Sequence, residues 1–353
     1  MHDTPLHRRD ALACIPALFA LPAALAQGAA GQGAPGGPSP SPSVRAKGGP
    51  PGSQEGITMP FAIAACWAED FGGLKEMRLR SRLDASIGFS FARQPANDDE
   101  SCAFLLSAGA AVECIAMLAS SSMAGWGIVY QGAKGTDDLF EVYVRLGQVR
   151  RQPDALALKS TLGIFARPDP RGAFDPAWKA PEECLEKARV CMVEQNSTAV
   201  VVKPERKPAF LKALAALSKA SPALAAAVGA AELWGDGCTP ILMGRGPAST
   251  LPTAVTAGRG MQRAGLFAYQ HEASVDVRPI LPGVFEAAAA SSPEASAAAK
   301  DLAMLIEAPG FEPLAVARVG KLLKPQPRVA LSAEAILAPS VAVAPPPASE
   351  QPA

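Results

Sequence analysis

Along the chain, stretches in which apolar and polar positions alternate take turns with Ala-rich stretches whose apolar positions recur every three to four residues. The alternating stretches predict strands at Met77–Arg93 in two pieces, Trp126–Gln131, Leu139–Val149, Leu156–Arg167, Ala199–Lys203, Pro240–Met243 and Gly265–Val277. In Leu139–Val149, Phe140, Val142, Val144 and Leu146 alternate with Glu141, Tyr143 and Arg145, the mark of a half-buried strand, and Lys134–Asp138 before it supplies a hairpin turn. The longer periods predict helices at Ser101–Ser121, Pro181–Glu194, Ala209–Leu233 and Val284–Glu307. Irregular interleaving of the two kinds implies an α+β fold: a mixed or antiparallel sheet with Ala-rich helices packed on it, flanked by disordered ends.

The ends carry a different pattern. Arg8 and Arg9 precede an apolar run from Ala11 to Leu21, which closes on the small-x-small spacing Ala24-Leu25-Ala26. That run is shorter than the roughly 20 apolar residues a bilayer span needs, so it predicts a cleaved signal peptide over residues 1–26. The protein is therefore expected to be exported, periplasmic or extracellular, and the arginine pair admits the twin-arginine route. Residues 27–56 are Gly, Pro, Ser and Ala with almost nothing to bury, and are read as a flexible linker. Residues 338–353 are read as a disordered Ala/Pro-rich tail, which leaves 57–337 as the globular domain.

One stretch of that domain, Cys102 to Tyr130, holds a single charged residue, Glu113. A charge at that depth opposes membrane insertion by about 3 kcal/mol, so a buried helix followed by a core strand is expected, with no transmembrane span after signal removal. A faint echo links "GFSFARQPANDDESC" from Gly88 to "GIFARPDPRGAFDPAWKAPEEC" from Gly163. Either the domain is duplicated, with halves near 57–155 and 156–337, or an Ala-rich chain repeats itself by chance.

Charge narrows the partners. The 353 residues carry 33 basic and 33 acidic side chains, a formal charge of +0, which offers no basic face to nucleic acid. An unknown protein, glycan or envelope component is expected instead. Six cysteines remain beyond the signal segment: Cys66, Cys102, Cys114, Cys184, Cys191 and Cys238. In an oxidising compartment they are candidate disulfide partners, and with no CxxC among them neither a zinc ribbon nor a thioredoxin-like site is present.

Candidate chemistry is sparse. His271 is the one histidine beyond the signal segment, so any histidine-based catalysis must use it, with Asp276 or Asp236 to orient it. Alternation around Phe267, Tyr269 and His271 places it more simply on a strand face. The acid groups Asp98-Asp99-Glu100 and Glu182-Glu183 fall at predicted helix N-termini, where the dipole favours negative charge, and Asp137-Asp138 lies in a turn. "GRGPAST" and "GRGMQRAG" are Gly-rich, but strand-like sequence follows the second, so Arg245, Arg259 and Arg263 read as exposed loop arginines. No cofactor or metal is expected. The residues point to an exported, non-enzymatic binding or envelope-associated protein, with an exported hydrolase using His271 or an acid pair as the alternative.

Overall fold

A computed structural model describes residues 54–81, 86–91, 95–121, 125–131, 141–147, 155–194, 196–229, 231–247, 251–332 and 336. The expected signal segment, the tail and the turn Lys134–Asp138 lie outside the described residues, as does the linker up to residue 53. Its last residues, Gln54–Gly56, open helix α1 (Gln54–Cys66).

The α+β expectation holds, and the sheets are antiparallel. Strands β1 (Met77–Ser81) and β2 (Ser86–Phe91) precede the long helix α2 (Asp98–Ser121), which is followed by β3 (Gly125–Gln131) and β4 (Glu141–Gly147). They form one sheet in the order β1-β2-β4-β3. Helix α3 (Ala155–Ala166), the short strand β5 (Pro168–Asp169) and helix α4 (Glu182–Met192) lead to β6 (Ser197–Val201). Helices α5 (Lys207–Ala220) and α6 (Pro222–Val228) then precede β7 (Thr239–Arg245), helix α7 (Leu251–Tyr269) and β8 (Ser274–Pro279). Helices α8 (Pro282–Ala290) and α9 (Pro293–Met304) come before β9 (Glu312–Gly320) and β10 (Gln326–Pro327). The second sheet runs β6-β7-β9-β8, and β10 pairs with β5.

Residue alternation explains how the second sheet is covered on both faces. In β7, Ile241 and Met243 enter the main core while Leu242, between them, enters a second core. In β9, Ala315, Ala317 and Val319 join the main core and Val316 the second, so one strand serves two layers. The second core is built from α5, α6, α8 and α9, through residues such as Phe210, Leu217, Leu224, Phe285 and Leu302. Serines fix where α6 and α9 start: Ser221 accepts from the Leu224 N–H and Ser292 from the Ala295 N–H. The expected single helix Val284–Glu307 is divided at Ser291-Ser292-Pro293 for that reason, and Ser221-Pro222 divides Ala209–Leu233 in the same way.

Helix α2 is the apolar stretch expected to be buried. It is the one described helix long and apolar enough to cross a membrane, and 89% of its apolar window is covered by the rest of the fold. It packs on α7 at backbone distance. A Cβ on Gly109 would stand 2.1 Å from the Val255 carbonyl oxygen, and one on Gly258 would stand 2.0 Å from that of Leu106. Neither position has room for any side chain.

Two strand expectations are corrected. Leu156–Arg167 is helix α3, because Ala and Leu favour helix intrinsically and Ile164 and Phe165 bury their side chains in the core from that helix. Gly258–Gly265 and the residues to Tyr269 are the body of α7, and the strand begins only at Ser274. The glycines are there because neighbours approach closely, Leu106 at Gly258 and Cys191 at Gly260. The disulfide expectation is also corrected: all six cysteines are free thiols, four buried and two half-buried. They serve as small apolar side chains.

Candidate functional site

Four remote segments of the chain converge beside the C-terminal ends of α1, α3 and α7. Helix α1 ends at Cys66, and the next turn is pinned by Asp70, whose Oδ1 accepts from the backbone N–H groups of Gly72, Gly73 and Leu74. This fixes Trp67 and Glu69. Helix α3 delivers Phe165 and, just past its end, Arg167. Helix α7 delivers Gln262 and Tyr269, with Gly265 leaving room for Arg167: a Cβ there would lie 2.7 Å from its Nη1. The segment after β9 crosses over this place with Lys321 and Arg328.

The polar contacts form one network. Glu69 lies 3.0 Å from Arg167 Nη1 and accepts from Arg328 Nη1 at 2.5 Å. Arg167 Nη2 donates to Gln262 Oε1 at 3.1 Å and to the Trp67 carbonyl at 3.3 Å. Gln262 Oε1 also accepts from the Glu69 N–H at 2.9 Å, and its Nε2 donates to Cys114 Sγ at 3.2 Å. Arg328 Nη2 donates to the Ala68 carbonyl at 2.6 Å. Burial alone would raise the Glu69 carboxyl, but the Arg328 and Arg167 charges outweigh it and hold it at about 2. Burial, helped by repulsion from Arg328, brings the Arg167 guanidinium down to about 10 despite Glu69.

Beside this network is a cavity of about 580 Å³, walled by Trp67, Phe165, Arg167, Tyr269, Lys321 and Arg328, among others. Trp67 and Phe165 meet edge to face, with ring centroids 6.1 Å apart. Two of these wall residues carry buried donors that find no acceptor among the described residues, Trp67 Nε1 and Arg167 Nε. Trp67 is 1% exposed and Arg167 5% exposed. A buried donor without a partner costs about 1–3 kcal/mol, so both leave hydrogen-bonding capacity unused beside the cavity. Lys321 pairs with Glu272 at 3.1 Å. Three cations, Arg167, Arg328 and Lys321, thus face two carboxylates, Glu69 and Glu272.

A second polar cluster lies across the α2–α7 contact. Glu113, fully buried, accepts from Arg259 Nε at 3.0 Å, Arg263 Nε at 2.7 Å and Arg263 Nη2 at 3.0 Å. Arg263 also donates to Glu194 at 3.0 Å. Burial lowers the Arg263 pKa, but its bonds to Glu113 more than reverse this and raise it above the usual arginine range. A third cluster joins Asp276 to Arg318 at 2.8 Å and Arg278 at 3.0 Å on the second sheet, with Arg318 stacked 4.5 Å from the Phe174 ring centroid.

The residues singled out from sequence fall elsewhere or take structural roles. His271 lies in the turn after α7, not on a strand, with its ring 4.9 Å from that of Phe267. Asp99 accepts from the Gly283 and Val284 N–H groups and so caps α8 from α2. Glu183 is an exposed partner of Lys187 at the start of α4, and Asp137-Asp138 lies outside the described residues. Arg259 and Arg263 are not loop residues; they point from α7 to Glu113. Arg245 pairs with Glu312 where the central strands β7 and β9 of the second sheet end. Burial pushes the thiols up, Cys66 and Cys114 to about 12 and Cys102, Cys184 and Cys191 to about 11, and raises Cys238 as well. Among the described residues, no group of three or more His, Cys, Asp or Glu is placed to hold a metal ion.

No protein-family model and no curated protein matches the sequence. Among solved structures, the chain is similar to a nitroreductase with bound FMN from Desulfitobacterium hafniense DCB-2, at 17% identity and TM-score 0.36, covering 48% of this chain and 92% of that one. It is similar to a nitroreductase-like family protein from Bacillus cereus, at 13% identity and TM-score 0.34, covering 47% and 87%. A third is an FMN-dependent nitroreductase from Clostridium difficile R20291, at 10% identity and TM-score 0.31, covering 44% and 83%. Flavin-dependent nitroreductases and their like recur among these matches, where the residues alone led to the expectation of a non-enzymatic binding or envelope-associated protein or a hydrolase. The hydrolase also loses its residues: His271 sits against Phe267, and the described acid groups cap or flank helices.

Proposed function

We propose that the cavity beside Trp67 and Arg167 holds a planar, anionic cofactor of the flavin mononucleotide class, and that the chain is an oxidoreductase working through it. The cavity itself carries this reading. Its volume of about 580 Å³ lies within the ~300–1,000 Å³ typical of small-molecule sites. Aromatic side chains line it, which suits a flat ring system, and three cations against two carboxylates leave a surplus positive charge for an anion. The unpartnered Trp67 Nε1 and Arg167 Nε would find acceptors on such a ligand.

The wall residues fit this group. Tyr269, the accessible aromatic of the wall, would meet the ring over a floor that Trp67 and Phe165 complete, and Arg167, Arg328 and Lys321 would take the charged end. Once bound, a flavin supplies hydride and single-electron transfer. The protein's own part is to exclude water from the ring and to keep Arg167 oriented through Glu69 and Gln262. Titrating purified protein with flavin mononucleotide while following flavin fluorescence tests the reading. Saturable quenching is expected, with affinity falling about tenfold in Arg328→Gln, the loss of one charge-assisted hydrogen bond. Folded protein that leaves flavin fluorescence unchanged would overturn it.

A further inference from the structure

Two stretches of the chain repeat one order of elements. Helix–strand–strand–helix–strand–strand describes α1, β1, β2, α2, β3, β4, and it describes α4, β6, β7, α7, β8, β9 once α5–α6 and α8–α9 are set aside as insertions. The strand orders agree as well, β1-β2-β4-β3 against β6-β7-β9-β8, all antiparallel. The equivalent helices α2 and α7 are the ones that pack together. Their contact is reciprocal: Gly109 faces the Val255 carbonyl and Gly258 faces the Leu106 carbonyl, each glycine meeting the residue three before the other. The same exchange along the chain carries Glu113 onto Gln262 and Cys114 onto Arg263. Under it, the Arg263–Glu113 contact and the Gln262–Cys114 contact are one contact seen from either side.

We infer that the chain is built on an internal two-fold axis between Gly109 and Gly258, which creates two equivalent polar positions, and that only the Gln262 position is a ligand site. There, neutral Gln262 leaves the Arg167 guanidinium beside the cavity with a free Nε, and Trp67 lies next to it. At the equivalent position a carboxylate, Glu113, draws Arg259 and Arg263 onto itself, with Glu194 as a further partner, and so closes the place with ion pairs. The chain therefore takes one planar anion, and the Glu113 cluster is a clasp between the two units. This rests on the cofactor reading above for the chemistry of the ligand, but the axis stands on the glycines and the topology.

Two measurements on the full chain test it. Equilibrium dialysis against flavin mononucleotide should give one bound per chain, whereas two per chain would show the second position open and overturn the inference. Gly109→Ala and Gly258→Ala should be damaging to the same degree: either both fail to fold or their unfolding midpoints fall within about 4 °C of each other. One variant tolerated and the other not would remove the axis. No bound flavin with equal glycine variants would remove the cofactor reading and the one-ligand assignment, leaving only the axis.

Discussion

Glu113 offers the sharpest test of how the two sides of the α2–α7 contact are held. Its carboxylate is fully buried and accepts three bonds from two arginines, Arg259 and Arg263, that are themselves partly buried. Glu113→Ala removes the carboxylate and leaves Arg263 with Glu194 alone as its carboxylate partner. Removing one member of a buried ion pair costs about 3–5 kcal/mol, because the remaining charge stays out of water. That is a large share of the ~5–15 kcal/mol that holds a domain folded. At roughly 2–4 °C per kcal/mol in a chain of this size, the midpoint should fall by about 6–20 °C. Urea unfolding followed by circular dichroism measures the loss, and a cycle with Arg263→Met isolates the pairwise part, expected at about 1–3 kcal/mol. A Glu113→Ala variant within about 1 kcal/mol of the parent would refute the buried-clasp argument.

Glu69 gives a pH dependence of definite sign. Its folded pKa of about 2 lies below the ordinary carboxylate value, so it stabilises the fold fully above about pH 4.5 and progressively less as the pH falls towards 2. The shift corresponds to about 3 kcal/mol, so Glu69→Gln should flatten acid unfolding in that window, and an unchanged acid limb would count against the network. The cysteines should be inert: with Cys66 and Cys114 held near 12, a thiol reagent at pH 8 should label them only after denaturation. Rapid labelling of either in native protein, or disulfide-linked peptides in an unreduced digest, would contradict the free buried thiols.

Much of the fold is legible because single residues dominate their surroundings. An apolar run with one carboxylate at Glu113 can only be a core helix whose charge meets a cation inside the protein, although the sequence does not say which. Pro181 marks the start of α4 without a side-chain cap, whereas the breaks capped by Ser221 before Pro222 and Ser292 before Pro293 are hidden because the Ala-rich periodicity continues across them. Helix α7 was hidden because three glycines within eight residues, each costing about 1 kcal/mol in a helix, read as a loop. The signal that reveals it is the spacing of Ala254, Ala257, Gly258, Met261, Ala264, Gly265 and Ala268, small or apolar at helical intervals on a face that packs closely. The echo of "FAR" pointed towards duplication but joined the wrong elements, since Gly88–Phe91 lies on β2 and Gly163–Ala166 lies on α3. What repeats in the fold is element order and helix contact. The cavity left no motif because Trp67, Phe165, Arg167, Tyr269, Lys321 and Arg328 come from separate segments and meet only through packing.

A crystal structure of the protein grown with flavin mononucleotide addresses the cofactor reading most directly. The ring system is expected inside the cavity against Trp67 or Tyr269, with one flavin per chain and a flavin oxygen or nitrogen within hydrogen-bonding distance, about 3 Å, of Arg167 Nε or Trp67 Nε1. Flavin bound anywhere else, or a cavity filled by the protein's own side chains with both donors satisfied, would contradict it.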